Sequence, residues 1–327
     1  NATDDDGGGM YNGSSNPTLT NCSFNGNTAA DDGGGMHNIS STSTLTACTF
    51  TDNTASSEGG GFYAKSANYG SALTDCTFEN NTASYGGGMR NYINSNITIA
   101  QCIFTNNTAS HGGGMSNFDS SPAVEDCTFS SNTASDGGGM KGAGGSTITG
   151  CTFTNNVSTN NGGGIYRIGN STITGCTFKN NVATHNGGGI YDDDSSNSTL
   201  GNCTFTGNAA LDGGGIYCLE STPTITGCTI SNNHATGLNG GGIYCSGGSP
   251  TLTDTVVCGN TPYQIIGDWI DNGDNTISDE CPPDCPDTNG DGLVDMDDVL
   301  AVVVAWGSAD PDADVDGDGT VGTNDLL

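Results

Sequence analysis

Apolar positions along this chain come in short pulses, never in stretches. Residues 44–50 read TLTACTF and residues 147–153 read TITGCTF, so Leu or Ile, Cys and Phe alternate with Thr and other small or polar residues. A period of two places the apolar set on one side of short strands and Thr on the other. The pulse recurs with Cys22, Cys48, Cys76, Cys102, Cys127, Cys151, Cys176, Cys203 and Cys228. Phe or Ile follows each Cys by two residues and Asn follows by five, as in Phe24 and Asn27 or Phe178 and Asn181. A tenth copy keeps Val257 and Asn260 but carries Thr255 in the cysteine slot. A second mark, GGG followed by Met, Ile or Phe, begins at 7, 33, 59, 86, 112, 137, 162, 187, 213 and 240, a constant step of 25 to 27 residues.

The segments between these marks are too short and too β-branched for helices. Each repeat reads as three short strands, T-L-T, C-T-F and G-M-Y or G-I-Y. One repeat cannot bury its few apolar residues, whereas a stack of repeats shares a continuous core. The pattern therefore predicts an all-β fold over residues 1–260, a right-handed parallel β-helix of about ten coils, each about 4.8 Å along the axis. Leu, Cys, Phe and Met or Ile are expected as inward columns. The Asn of FxxN is expected at a corner, bonding backbone or the Asn of the next coil, and Asn tolerates the left-handed conformation. GGG supplies positive φ and close backbone approach at another corner.

Composition changes the picture in one direction. Five Lys+Arg stand against 36 Asp+Glu, for a net charge of −31. Such a chain is unsuited to nucleic acid, whose phosphates require Lys and Arg, and to anionic membrane surfaces. It suits divalent cations. The longest apolar run, VLAVVVAW at 299–306, is far below the ~20 residues of a membrane-spanning helix, so no membrane insertion is expected. Asn1 already lies within the repeat pattern, which predicts further coils before it.

The ordered pair FxxN and GGG[M/I] resembles the repeats of chlamydial-type polymorphic outer-membrane proteins, with a third glycine where those carry alanine. The resemblance covers residues 1–260. It implies a bacterial β-helix displayed outside the cell, with a role in adhesion.

Beyond residue 260 the pattern gives way to a linker or cap, 261–286, containing Trp269 and ECPPDCP. DTNGDGLVDMDD at 287–298 then has the order of a calcium loop, in which alternate oxygens surround the ion and a central Gly makes the turn. Asp287, Asn289, Asp291, the Leu293 carbonyl, Asp295 and Asp298 would be the ligands, with Gly292 at the turn. DVDGDGTVGTND at 314–325 offers Asp314, Asp316, Asp318, the Thr320 carbonyl and Asp325. Two such loops with a helix after the first resemble a dockerin, which implies calcium as cofactor and a cohesin-like or other surface protein as partner. Met296-Asp297 and Thr323-Asn324 replace the usual Ser-Thr recognition pairs. Because the chain stops at Leu327, before a second helix, the module over 287–327 reads as C-terminally truncated and its second site as the weaker.

Candidate chemistry in the repeats is sparse. Parallel β-helices that cleave polysaccharides need a base with Arg, Lys or calcium, or paired carboxylates across a cleft. Lys65, Arg90, Lys141, Arg167 and Lys179 fall in different coils, and uniform coil length leaves no long loops to wall a cleft. A lyase or glycoside hydrolase is thus the alternative, not the preferred reading. His37, His111, His185 and His234 lie at different phases of the repeat and read as surface polar residues. Asp6, Asp32 and Glu58 share the slot before GGG, beside Asp5 and Asp31; solvated turns are the simpler reading and calcium the sharper one. Thr pairs such as Thr18/Thr20, Thr44/Thr46 and Thr172/Thr174 form an outward array of the kind ice-binding β-helices use, interrupted by Ala72, Ala100, Ala123, Glu125 and Gly201. The nine-cysteine column reads as buried thiols, because parallel Cβ vectors suit disulfides poorly. Cys258 with Cys281 is the favoured disulfide. Tyr63, Tyr166, Tyr191, Tyr217 and Tyr244 are expected to project from one face, where they would stack on sugars. The preferred function is an extracellular or cell-surface structural and adhesive β-helix that binds glycan or protein along a strand face.

Overall fold

The computed structural model of this chain describes residues 2–3, 6–66, 70–143, 145–168, 170–193 and 197–281. It divides into two units, residues 1–279 and 280–327. The acidic loops at 287–298 and 314–325, with all their candidate calcium ligands, lie outside the described residues.

The first unit is a parallel β-helix built from strands of two to four residues. One coil runs Met36–Ile39, Thr44–Thr46, Thr49–Thr51 and Thr54–Ala55. Each strand pairs with its equivalent in the coils before and after, giving one sheet of 10 strands and three of 11. These are called here the tyrosine sheet, the Thr–Leu–Thr sheet, the phenylalanine sheet and the short sheet, in coil order. The sequence pattern predicts three strands per repeat; the fourth, the two-residue Thr54–Ala55 type, is too short to leave a periodic signal. Nine successive coils among the described residues carry all four strands. The tenth lacks its short-sheet strand. Within the segment read from sequence as linker or cap, Ile265–Ile266, Ile270–Asp271 and Thr276–Ser278 pair parallel to the preceding coil and add a partial rung. Val257 facing Ile277 and Ile243 facing Ile265 continue the inward columns that GGG and Cys mark elsewhere.

Four strands need four corners, turned by residues in the left-handed region. In the coil above these are Ser40 (φ 49°), Ala47 (φ 51°), Asp52 (φ 55°) and Gly59 (φ 64°). The strained residue at the FxxN corner is therefore the one before the Asn, not the Asn itself. Of the triple glycine Gly112–Gly114, only Gly112 has positive φ, 66°. The other two are required by space: a Cβ on Gly113 would stand 2.5 Å from the Gly138 carbonyl oxygen of the next coil, and one on Gly114 2.9 Å from Phe129 Cδ1.

Inside, identical side chains lie above one another. Phe24, Phe50, Phe78, Phe104, Phe129, Phe153, Phe178 and Phe205 form one stack with centroids 4.6–4.9 Å apart and planes within 5°. Each fully buried ring contributes about 1.5–3 kcal/mol. The buried Asn column is an amide ladder from Asn27 to Asn260, each Nδ2 donating to the Oδ1 of the next at 2.8–3.0 Å. Each Oδ1 also accepts the preceding Asn's backbone N–H, as in Asn107 to Asn132 at 3.0 Å, and Nδ2 donates to a Phe carbonyl one coil back. At the end of the ladder Gln264 takes the place of the next Asn and accepts both bonds from Asn260.

The cysteine column is likewise inward and unlinked. None of the nine column cysteines, nor Cys218 or Cys245, is disulfide-bonded. Cys127 donates to the Glu125 and Ile99 carbonyls and accepts from the Cys102 N–H. Thr255, in the same column, makes the equivalent bonds to Thr253 and Ile225 and accepts from Cys228. Cys258 and Cys281 are each disulfide-bonded. No helix among the described residues is long and apolar enough to cross a membrane.

Candidate functional site: a groove on the tyrosine sheet

Three outward columns run along the tyrosine sheet. The central one is the second residue of each strand: Tyr11, His37, Tyr63, Arg90, Ser116, Lys141, Tyr166, Tyr191, Tyr217 and Tyr244, in unbroken register. On its N-terminal side stands the residue before each GGG, among them Asp32, Glu58, Tyr85, His111 and Asp136. On its C-terminal side stands the fourth strand residue, including Lys65, Tyr92 and Phe118. The flanking columns cover the central one, which explains why Arg90 is 5% exposed although it points away from the core.

Mid-helix, these columns enclose a cleft of about 360 Å³ lined by Tyr85, Arg90, His111, Ser116, Phe118 and Lys141. Arg90 Nε lies 3.4 Å from Glu58 Oε2 and an Nη1 hydrogen goes to Ser116 Oγ at 2.6 Å. The guanidinium sits 5.1, 5.3 and 5.7 Å from the ring centres of Tyr85, Tyr92 and Phe118, within cation–π range. Lys141 Nζ is 3.1 Å from His111 Nδ1, 3.6 Å from Asp136 Oδ2 and 4.8 Å from the Tyr166 ring centre. Lys65 joins the same face, over the Tyr92 ring. Burial lowers the pKa of His111 below the usual imidazole value, aided by the Lys141 charge and opposed by Asp136. Lys141 is lowered by burial against the pull of Asp136. The cleft thus presents two cations, an imidazole, a hydroxyl and rims of exposed aromatic ring, Tyr85 at 38% and Phe118 at 43%.

Toward the N-terminal end the same groove turns acidic. Asp6, Asp31 and Asp32 bring one carboxylate oxygen each within 4.8 Å of one another, and His37 Nδ1 is 3.2 Å from Asp6 Oδ2. Burial first, then Asp31, Glu58 and Asp6, pushes the Asp32 carboxyl up to about 6. Toward the other end the column becomes tyrosine, and here the sequence expectation is corrected. Tyr63, Tyr191 and Tyr217 are buried, at 2%, 7% and 9% exposure, and Tyr166 and Tyr244 are half-buried. Tyr166, Tyr191 and Tyr217 stack on one another at 5.0 and 5.1 Å, and Tyr217 meets Tyr244 edge-on. The faces that Tyr166, Tyr191 and Tyr217 turn to one another are closed to a sugar.

The cleft is what a residue-by-residue reading passes over. Arg90 and Lys141 are 51 positions apart, which is two coils, and each is the second residue after its GGG. That shared phase is the signal that links them. His111, one of four histidines read as surface polar, is here a cleft residue. His234 bonds Thr261 Oγ1 and belongs to no cluster with the others among the described residues. The Thr columns occupy the outward positions of the Thr–Leu–Thr sheet with the expected interruptions.

The chain matches the family described as right-handed β-helix region over residues 1–134 and 115–280. It belongs to that family, which fixes the hand of the coil. No curated protein and no solved structure matches it.

Proposed function

We propose that this chain is part of a secreted or cell-surface protein whose β-helix is a binding rod that takes glycan along the groove of the tyrosine sheet. The observation that carries this reading is the cleft around Arg90 and Lys141. In a chain with five Lys+Arg, three of them, Lys65, Arg90 and Lys141, stand on one face among aromatic rings. Loops of near-constant length leave the groove open along the axis, a geometry suited to a chain-like ligand. The loops at 287–298 and 314–325 supply calcium-dependent docking to a cohesin-like or other surface protein, on the strength of their ligand spacing. A glycan array probed with the full chain tests the first part: binding that falls with Phe118→Ala and Lys141→Gln together supports it, and an array without signal refutes it. Calorimetry with calcium on the full chain and on Asp291→Ala tests the second; equal heats from both would refute it.

A second reading is favoured by His111, whose Nδ1 lies 3.1 Å from Lys141 Nζ and 3.3 Å from Asp136 Oδ2 and whose pKa burial lowers. β-Elimination from a uronate polymer uses such a base, with a cation stabilising the carbanion. Appearance of unsaturated product absorbance on incubation with acidic polysaccharide would establish it.

A further inference from the structure

We infer that His37, Asp6 and Asp31 form a zinc-type metal site that ties two successive coils together at the acidic end of the groove. It uses none of the cleft residues and stands or falls independently of the glycan reading. A crowd of carboxylates alone would mark no site; the imidazole beside it does. His37 is 3% exposed, yet neither of its ring nitrogens makes a hydrogen bond. Its Nδ1 faces Asp6 Oδ2 at 3.2 Å. Burial lowers the pKa of His37 and Asp6 opposes that only in part, so the surroundings disfavour the imidazolium that an ion pair requires. A buried imidazole nitrogen without a hydrogen-bond partner, turned toward a carboxylate, is a position that a metal fills.

The geometry agrees. Two ligands of one tetrahedral zinc, each about 2.0–2.1 Å from the ion, lie about 3.3 Å apart, close to the Nδ1–Oδ2 separation. The imidazole is held between the rings of Tyr11 and Tyr63, whose centres are 5.1 and 4.7 Å from its own. Asp6 Oδ1 accepts the Asp32 N–H, and Oδ2 is the oxygen left facing the imidazole. Asp6, Asp31 and Asp32 each bring one oxygen within 4.8 Å of the others. Asp32 Oδ1 is taken by the Glu58 N–H, whereas Asp31 is exposed and can rotate in as the third ligand. Water completes the four.

Neighbouring coils supply a contrast. Glu58 has Arg90 beside it and Asp136 has Lys141. Among the described residues no Lys or Arg stands at ion-pair distance from Asp31 or Asp32. A divalent ion supplies the charge that the sequence omits there. An imidazole ligand favours zinc-like metals over calcium and magnesium, which take oxygen. Asp6 precedes one GGG, while Asp31 and His37 flank the next, so the ion bridges consecutive rungs.

The experiment is titration of the full chain with zinc in excess calcium, followed by cobalt(II) absorption. Expected are zinc binding that calcium does not displace, a higher melting temperature with zinc, and cobalt d–d bands without a thiolate charge-transfer band. His37→Gln should weaken zinc binding by at least the roughly 10–100-fold that loss of an outer-shell partner costs and remove the zinc-dependent shift in melting. Asp31→Asn, an exposed change, should weaken binding about ten-fold or more, and His234→Gln should leave it unchanged. Melts in chelator show whether each variant folds, and Asp31→Asn decides the matter should His37→Gln fail to fold. Zinc affinity unchanged in His37→Gln or in Asp31→Asn overturns the inference. Equal affinity for calcium overturns it in favour of a hard cation held by carboxylates alone. A thiolate band overturns it by moving the metal to the cysteines, and absence of zinc uptake removes the site.

Discussion

Two faces of the same coil stand in contrast. On the Thr–Leu–Thr sheet the outward positions repeat: Thr44, Thr147 and Thr224 occupy one exposed slot, and most intervening coils carry Thr there too. On the tyrosine sheet the register is just as regular, yet the central column changes identity from Tyr11 and His37 through Arg90 and Lys141 to a run of Tyr. Backbone geometry is common to both faces, so it cannot be the source of the difference. What differs is the height of the flanking columns. Short Thr side chains leave a flat lattice, while long residues before GGG and at the fourth strand position raise walls. A site in this fold is written in side chains alone.

Substitutions that separate the shared interior from the individual exterior give graded tests. The largest effect is expected for Gly113→Ala, whose methyl would meet the Gly138 and Thr133 carbonyl oxygens at 2.5 and 2.7 Å. Because those atoms are backbone of the next coil, a loss of more than about 4 kcal/mol is expected, read as a collapse of the urea midpoint. Next is Asn132→Ala. It orphans the N–H of Asn107, leaves one of its two Nδ2 hydrogens without an acceptor and removes a donor from the carbonyl of Phe104; at about 1–3 kcal/mol for each buried orphan, the unfolding free energy should drop by about 3 kcal/mol or more.

A smaller and pH-dependent change is expected at the acidic end of the groove. The Asp32 carboxyl, pushed up to about 6, holds its proton more tightly in the folded chain than in the unfolded one. The stabilisation from that proton is complete below about pH 4 and is lost as pH rises through about 6. Asp32→Asn keeps the oxygen that accepts from the Glu58 N–H without the charge. Its melting temperature should exceed that of the parent at pH 8 and equal it at pH 4; an equal difference at both values would show that charge crowding is not the cause.

Cys127→Ser should cost only about 1 kcal/mol, since a hydroxyl can make the column's bonds, as Thr255 already does. The smallest effect belongs to the flat face. Thr147→Gln is expected to change stability by no more than about 0.5 kcal/mol and glycan binding not at all. If it abolished binding, the comparison between the two faces would be reversed.

Much of this interior was legible in the sequence because its signals are chemical as well as periodic. Cys, Phe and Asn each recur in one slot, and each slot became a column. The short sheet escaped notice because Thr54–Ala55 is only two residues long and its outward Thr resembles every other Thr. The rung at 265–278 escaped because neither GGG nor the Cys pulse marks it. The tyrosine column was visible, but its burial was not, since stacking depends on the distance between coils and on walls built from other columns. The cleft was hidden for a similar reason. Arg90, His111 and Lys141 are near one another only after a step of about 25 residues is wound into a circle.

Among the described residues the strands of each sheet pair with their equivalents one turn away. A pull on the two ends of the β-helix would peel the terminal turn first and leave the rest intact. Each of the nine turns with a column cysteine would, when paid out, lengthen the tether by on the order of 80 Å and expose one thiol. The rod would then behave as an extensible spring whose wear is recorded, turn by turn, in newly reactive sulfur.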